Sequence, residues 1–142
     1  MTQKWLVALD GSEISLRSVA WIIDNSGEWR EAPQIHLINV QPALPDDIGR
    51  FIANETIREF HLEAGMTALA AARARLATAG LGAEPHVLVG DPAATITGFA
   101  ERHACNLILI GTRGHSGLAG TLLGSVAMKM VHLASVPLLL TR

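Results

Sequence analysis

The chain has 142 residues, 49% of them apolar and 17% charged, with a formal net charge of -2. That length suits one domain over 1–142 with one core, and the composition excludes a disordered chain. No long Lys/Arg run occurs, so the electrostatic footprint of a nucleic-acid or anionic-membrane partner is missing. The apolar stretch from Trp5 to Leu9 is too short for a signal-peptide core or a spanning helix, and a cytoplasmic location is the expectation. Cys105 is the only cysteine, which excludes an intramolecular disulfide. Placed between Ala104 and a coming strand, it is expected to be a buried, inert thiol.

Strand and helix patterns alternate along the chain. Lys4 to Leu9 is a short apolar run, predicted to be a buried strand. Ser12 can cap the next helix, whose apolar face is Leu16, Val19, Ala20 and Ile23, with Gly27 as its stop. Gln34 to Val40 is the second strand. The segment 41–49 holds two prolines, a glycine and two acids, and reads as an exposed loop. A long Ala-rich helix is predicted from about Asn54 to Ala79, with Leu62, Met66, Leu69 and Leu76 inward and Gly80 and Gly82 ending it. Pro85 to Val89 is the third strand. Asp91-Pro92 starts another helix, an N-cap acid followed by proline at the first helical position. Its apolar face is Ile96, Phe99, Ala100 and His103. Asn106 to Ile110 is the fourth strand. A last helix over 126–134, with Val126, Met130, Val131 and Ala134 inward, precedes the closing strand Val136 to Thr141.

The order is βαβαβαβαβ. Apolar strands separated by amphipathic helices indicate a parallel sheet covered on both faces, an α/β doubly wound fold. No internal repeat, low-complexity segment or linker interrupts it. Open sheets of this kind bind ligands at the carboxyl ends of the strands, where the strand order reverses. Asp10 follows the first strand and Gly111 the fourth. If those strands are neighbours, Asp10 faces the segment after Gly111 across one crevice.

That segment carries the chemistry. Gly111, Gly114, Gly117, Gly120 and Gly124 fall within fourteen positions, between the fourth strand and the last helix. A glycine-rich bend at a helix N-terminus presents backbone amides to an anion, so a bound phosphate group is the leading expectation. The segment is neither a Walker A loop, since no Gly-Lys pair occurs, nor the Gly-x-Gly-x-x-Gly fingerprint. Without that lysine, rapid phosphoryl transfer has little support, although Arg113 offers a positive charge.

Gly111-x2-Gly114-x9-Gly124-Ser125 resembles the signature of the ATP-binding branch of the universal stress protein family, Gly-x2-Gly-x9-Gly-(Ser/Thr), at every defined position. Val7-Ala8-Leu9-Asp10-Gly11-Ser12, His36 to Val40, Gly90-Asp91-Pro92, Leu107 to Gly111 and Val136 to Leu140 resemble other segments of that family, so the likeness extends over nearly the whole chain. The resemblance implies an open five-stranded Rossmann-like sheet of the adenine nucleotide alpha hydrolase type. It implies ATP or a related adenine nucleotide as ligand, with Mg or Mn on the phosphates. Ala8, Asp10 and Val40 are implied binding residues, the last two at the adenosine end. Gly111, Arg113 and Gly114 would approach the ribose and phosphates, and Gly124, Ser125 and Val126 would hold the phosphates. A regulatory or stress-survival role follows, as does a homodimer joined through Val136–Thr141.

The residues leave two other readings open. A slow ATPase or phosphotransferase would use the same pocket, but no residue stands out as a base for activating water. A dimeric receptor for AMP or a cyclic nucleotide is the other alternative, because glycine spacing does not encode phosphate number. Gly114-His115-Ser116-Gly117 lacks the nucleophile-elbow pattern, which argues against a hydrolase triad. The six histidines show no metal-ligand spacing. His36 and His86 are expected to be partly buried structural residues on strands, and no metal site is expected. Trp5, Trp21 and Trp29 are expected in the core or an interface.

Overall fold

A computed structural model describes residues 2–112 and 123–142. Its elements are β1 (Lys4–Ala8), α1 (Leu16–Asn25), a short 3-10 turn (Ser26–Glu28), β2 (Gln34–Gln41), α2 (Asp46–Gly49), α3 (Asn54–Thr78), β3 (Ala83–Val89), α4 (Pro92–Arg102), β4 (Leu107–Gly111), α5 (Ser125–Leu133) and β5 (Leu138–Thr141). The strands form one all-parallel sheet in the order β3-β2-β1-β4-β5. The predicted doubly wound α/β architecture is therefore the observed one. β1 and β4 are direct neighbours, with Trp5 opposite Leu107 and Ala8 opposite Ile110. The strand order reverses between them.

Alternate residues of the central strands feed two cores, one on each face. Leu6, Ile38 and Ile108 meet Ile96 and Phe99 of α4 and Met130 of α5. Val7, Leu37 and Leu109 meet Val19 and Ile22 of α1 and Leu69 and Leu76 of α3. Burial on both faces explains why these strands read as continuous apolar runs rather than alternating ones. Each fully buried Leu or Ile contributes about 1.5–3 kcal/mol of hydrophobic stabilisation, so the sheet centre anchors the fold. The tryptophans cluster at the start of β1, with Trp5 centroids 6.1 Å from Trp21 and 4.9 Å from Trp29, and all three pack against the second core. Cys105 is buried as expected, and burial pushes its thiol pKa up against the opposing pull of Lys4.

Several helix faces differ from the sequence expectation. On α3 the buried residues are His61, Gly65, Leu69, Ala72 and Leu76, whereas Leu62 is 55% exposed. A stripe that contains a histidine and a glycine escapes a count of apolar residues. Gly65 belongs to it because α3 lies directly on β3: a methyl group there would overlap both methyls of Val87. On α5, Ala127 and Met130 are buried and Val131 is exposed. On α1, Ile22 is buried and Ala20 exposed. His103 is exposed at the end of α4, although its ring stacks on Phe99 at 4.0 Å.

The local end signals fare better. Asp91 caps α4, accepting from the Ala94 amide at 3.1 Å, with Pro92 at the first position. α3 ends through Gly80, and the Leu81 amide returns to Leu76 O at 2.9 Å. The expected 41–49 loop contains one short helical stretch, α2. His61 ties the loop down by donating from Nε2 to Pro42 O at 3.2 Å. Ser12 acts one turn ahead of the helix proper: its Oγ accepts from the Ser15 amide, and α1 begins at Leu16. Among the described residues, no helix is long and apolar enough to cross a membrane.

Candidate functional site

The reversal of strand order splays the chain away from the sheet at the carboxyl ends of β1 and β4, and a cavity of about 230 Å³ opens there. Leu9 and Asp10 leave β1 on one side of it. Gly111 and Thr112 leave β4 on the other. Asn39 and Val40 of β2 and Pro92 and Ile96 of α4 form a wall, and Gly124, Ser125, Val126 and Ala127 of α5 complete it. Seven of the nine residues expected to bind a ligand line this one cavity: Ala8, Asp10, Val40, Gly111, Gly124, Ser125 and Val126. Arg113 and Gly114 lie outside the described residues, as do His115 and Ser116.

The start of α5 is the polar feature of the site. Its N-cap is Gly124, so no side chain caps it. Gly124 has φ -69° and ψ 169°, an extended conformation open to any residue. The glycine is thus not needed for backbone geometry; what it supplies is a wall with no side chain. Its own amide donates to Thr112 O. The next amides are the donors that face the cavity end of the helix. Among the described residues, nothing accepts from the N–H groups of Ser125, Val126 and Ala127, and the first helical bond is Met128 N to Gly124 O at 3.0 Å. A helix N-terminus of this kind carries about half a positive charge and favours an anion.

The opposite wall is held by a polar lattice that apolar patterning does not reveal. Asp10 Oδ1 accepts from the Ser12 amide at 2.9 Å and the Ser12 hydroxyl at 2.5 Å. Gly11, at φ +86°, makes the turn that allows this closure. Asn39 is buried; its Nδ2 donates to Leu9 O at 2.8 Å, and its Oδ1 accepts from Gln41 Nε2 at 2.6 Å. This amide ties the ends of β1 and β2 and so shapes the mouth. Its only trace in the sequence is one asparagine inside an apolar strand. Thr112, also buried, donates its amide to Thr141 O at 2.8 Å and joins the β4 end to β5.

The sequence profile of the universal stress protein family matches residues 1–142. The chain belongs to the universal stress protein family. A universal stress protein of Methanocaldococcus jannaschii is 33% identical over 143 residues, covering 99% of this chain and 82% of the relative. The universal stress protein of Archaeoglobus fulgidus, solved in complex with dAMP, superposes with a TM-score of 0.71 at 22% identity over 99% of this chain and 98% of that one. Another universal stress protein, solved in complex with cAMP, gives a TM-score of 0.70 at 24% identity over 99% and 97%.

A second cluster of this universal stress protein lies away from the cavity, on the same face of the sheet as α4. His36 and His86 are half-buried on strands, as expected, and they lie together. His36 Nδ1 and His86 Nε2 are 2.9 Å apart, and Glu84 Oε2 lies 3.6 Å from His36 Nδ1. Parallel pairing causes this: His36 stands opposite Glu84, and Ile38 opposite His86. Burial lowers the pKa of both rings, while the Glu84 carboxylate pulls the other way.

Proposed function

We propose that this universal stress protein binds an adenine nucleotide in the cavity between β1 and β4, with ATP as the first candidate. The observation that carries the reading is the uncapped α5 N-terminus beside a largely apolar pocket at the switch point. The base and ribose lie toward Val40 and Asp10, and the phosphates meet the amides of Ser125, Val126 and Ala127. The motif's resemblance to the family signature assigns Arg113 and Gly114, outside the described residues, to the ribose and phosphates as well. Mg or Mn rides on phosphate oxygens and water with few protein ligands. ATP has about thirty heavy atoms, and at about 0.3 kcal/mol each, micromolar or tighter binding is within reach. Occupancy then reports adenine nucleotide levels to a regulatory or stress-survival function in the cytoplasm.

The test is calorimetric titration of the wild type and Gly124→Val with ATP, AMP and cAMP. The extended backbone at position 124 accepts valine, whose side chain then occupies the cavity wall. Micromolar wild-type affinity that falls at least about tenfold in the variant supports the site. Equal affinity for the two proteins counts against it. The complexes of relatives with dAMP and cAMP favour a second reading, a receptor for mono- or cyclic nucleotides. Tighter binding of AMP or cAMP than of ATP selects it. Phosphate release at saturating ATP of order one per second would instead indicate an enzyme.

The same reading includes a homodimer. Among the described residues β5 pairs only with β4, leaving its outer edge without a strand partner there, and Leu138, Leu139 and Leu140 are half-buried. Sedimentation equilibrium checks this, and a monomer at all working concentrations argues against it.

A further inference from the structure

We propose that His36, Glu84 and His86 form a binding site for one divalent transition-metal ion, zinc in the first place, separate from any ion carried by a nucleotide. The three donor atoms are His36 Nδ1, His86 Nε2 and a Glu84 carboxylate oxygen, all within 4.8 Å of one another. An ion about 2.1 Å from each ligand in tetrahedral geometry needs donors about 3.4 Å apart. The separations of 2.9 Å between the rings and 3.6 Å from His36 to Glu84 bracket that value. The remaining adjustment falls on Glu84, whose side chain is long and mostly exposed.

The rings are held in place before any ion arrives. They stack with centroids 5.2 Å apart, and Phe99 of α4 lies against both, 4.6 Å from His86 and 6.4 Å from His36. Strand backbone carries all three ligands, and such a platform positions donors better than a loop. Burial protects one side of the pair, and exposed Glu84 marks the solvent side, where water supplies the fourth ligand. His103 borders the site, 6.3 Å from His86 between ring centroids.

Without an ion, one neutral ring donates N–H to the other. When the ion binds, the donating ring moves that proton to its other nitrogen through solvent, and both facing nitrogens offer lone pairs. No net proton leaves the pair. Two imidazoles with one carboxylate suit Zn²⁺, Ni²⁺ or Cu²⁺; Mg²⁺ and Ca²⁺ prefer all-oxygen sets.

The test is titration of chelator-stripped full-length protein with ZnCl₂, followed by calorimetry. One ion per chain at micromolar affinity or tighter is expected, with a loss of at least about tenfold in His86→Gln and a smaller loss in Glu84→Gln. Glu84→Gln is an exposed change, so it tests the site even if the buried variant fails to fold. Long-range ¹H–¹⁵N spectra of the wild type provide a readout without mutation: zinc should shift the ring nitrogens of His36 and His86 before those of the other histidines. Wild-type binding no tighter than in both variants, or first shifts at other histidines, overturns the proposal. Nucleotide affinity measured in parallel keeps this outcome separate from that of the cavity.

Discussion

Ser125→Pro isolates the backbone donor at the start of α5. Proline suits the first helical position, where helical φ matches its ring and no N–H partner inside the helix is needed, and Ser125 holds that position. It also requires an extended residue before it, and Gly124 already sits at φ -69°, ψ 169°. The fold should therefore tolerate the change, with a melting temperature within a few degrees of wild type. What is lost is one amide and one hydroxyl facing the cavity. A hydrogen bond to a charged group is worth about 1.5–3 kcal/mol, so AMP affinity should fall about ten- to a hundred-fold. Adenosine has no phosphate and should bind the variant as it binds the wild type. Ser125→Ala removes the hydroxyl alone and should cost much less. The assay is parallel calorimetry of AMP and adenosine against the three proteins. If both ligands weaken equally, or neither does, the phosphate does not sit on the Ser125 amide.

Three further predictions concern the frame of the site. Gly65→Ala gains about 1 kcal/mol of helix propensity but drives a methyl into Val87, an overpacking cost of about 1–3 kcal/mol; urea denaturation should show net destabilisation, and adding Val87→Ala should relieve it. Asn39→Leu strips the tie between β1 and β2 and leaves Leu9 O without its side-chain donor, so a loss of about 1–3 kcal/mol is expected, with the urea m-value unchanged. Asp91→Ala should cost about 1 kcal/mol of thermal stability through the lost cap, whereas Asp91→Asn keeps the cap acceptor and should be close to neutral. The 3.6 Å pair of Asp91 with Lys129 is exposed and too weak to reverse that order.

Much of this protein is legible in its sequence because the relevant signals are local. Asp91-Pro92 starts α4 through its own side chain and ring, and Gly80 ends α3 through its own backbone. The apolar runs of β1, β2 and β4 announce buried parallel strands. The glycine motif and Ser125 mark the end of α5 that meets the cavity, again within one stretch of chain. Errors arise where a helix face is decided by what it touches: Leu62 is more apolar than His61, yet His61 reaches Pro42 O and is buried.

The rest depended on which strands became neighbours. That β1 lies beside β4 follows from packing helices on both faces of a twisted sheet, and it alone brings Asp10 across from Gly124. The register of β2 on β3 set His36 beside Glu84 and His86, residues about fifty positions apart with no spacing signal between them. Contacts of that range belong to the assembled sheet, because pairing energy is shared among whole strands rather than encoded at any single residue.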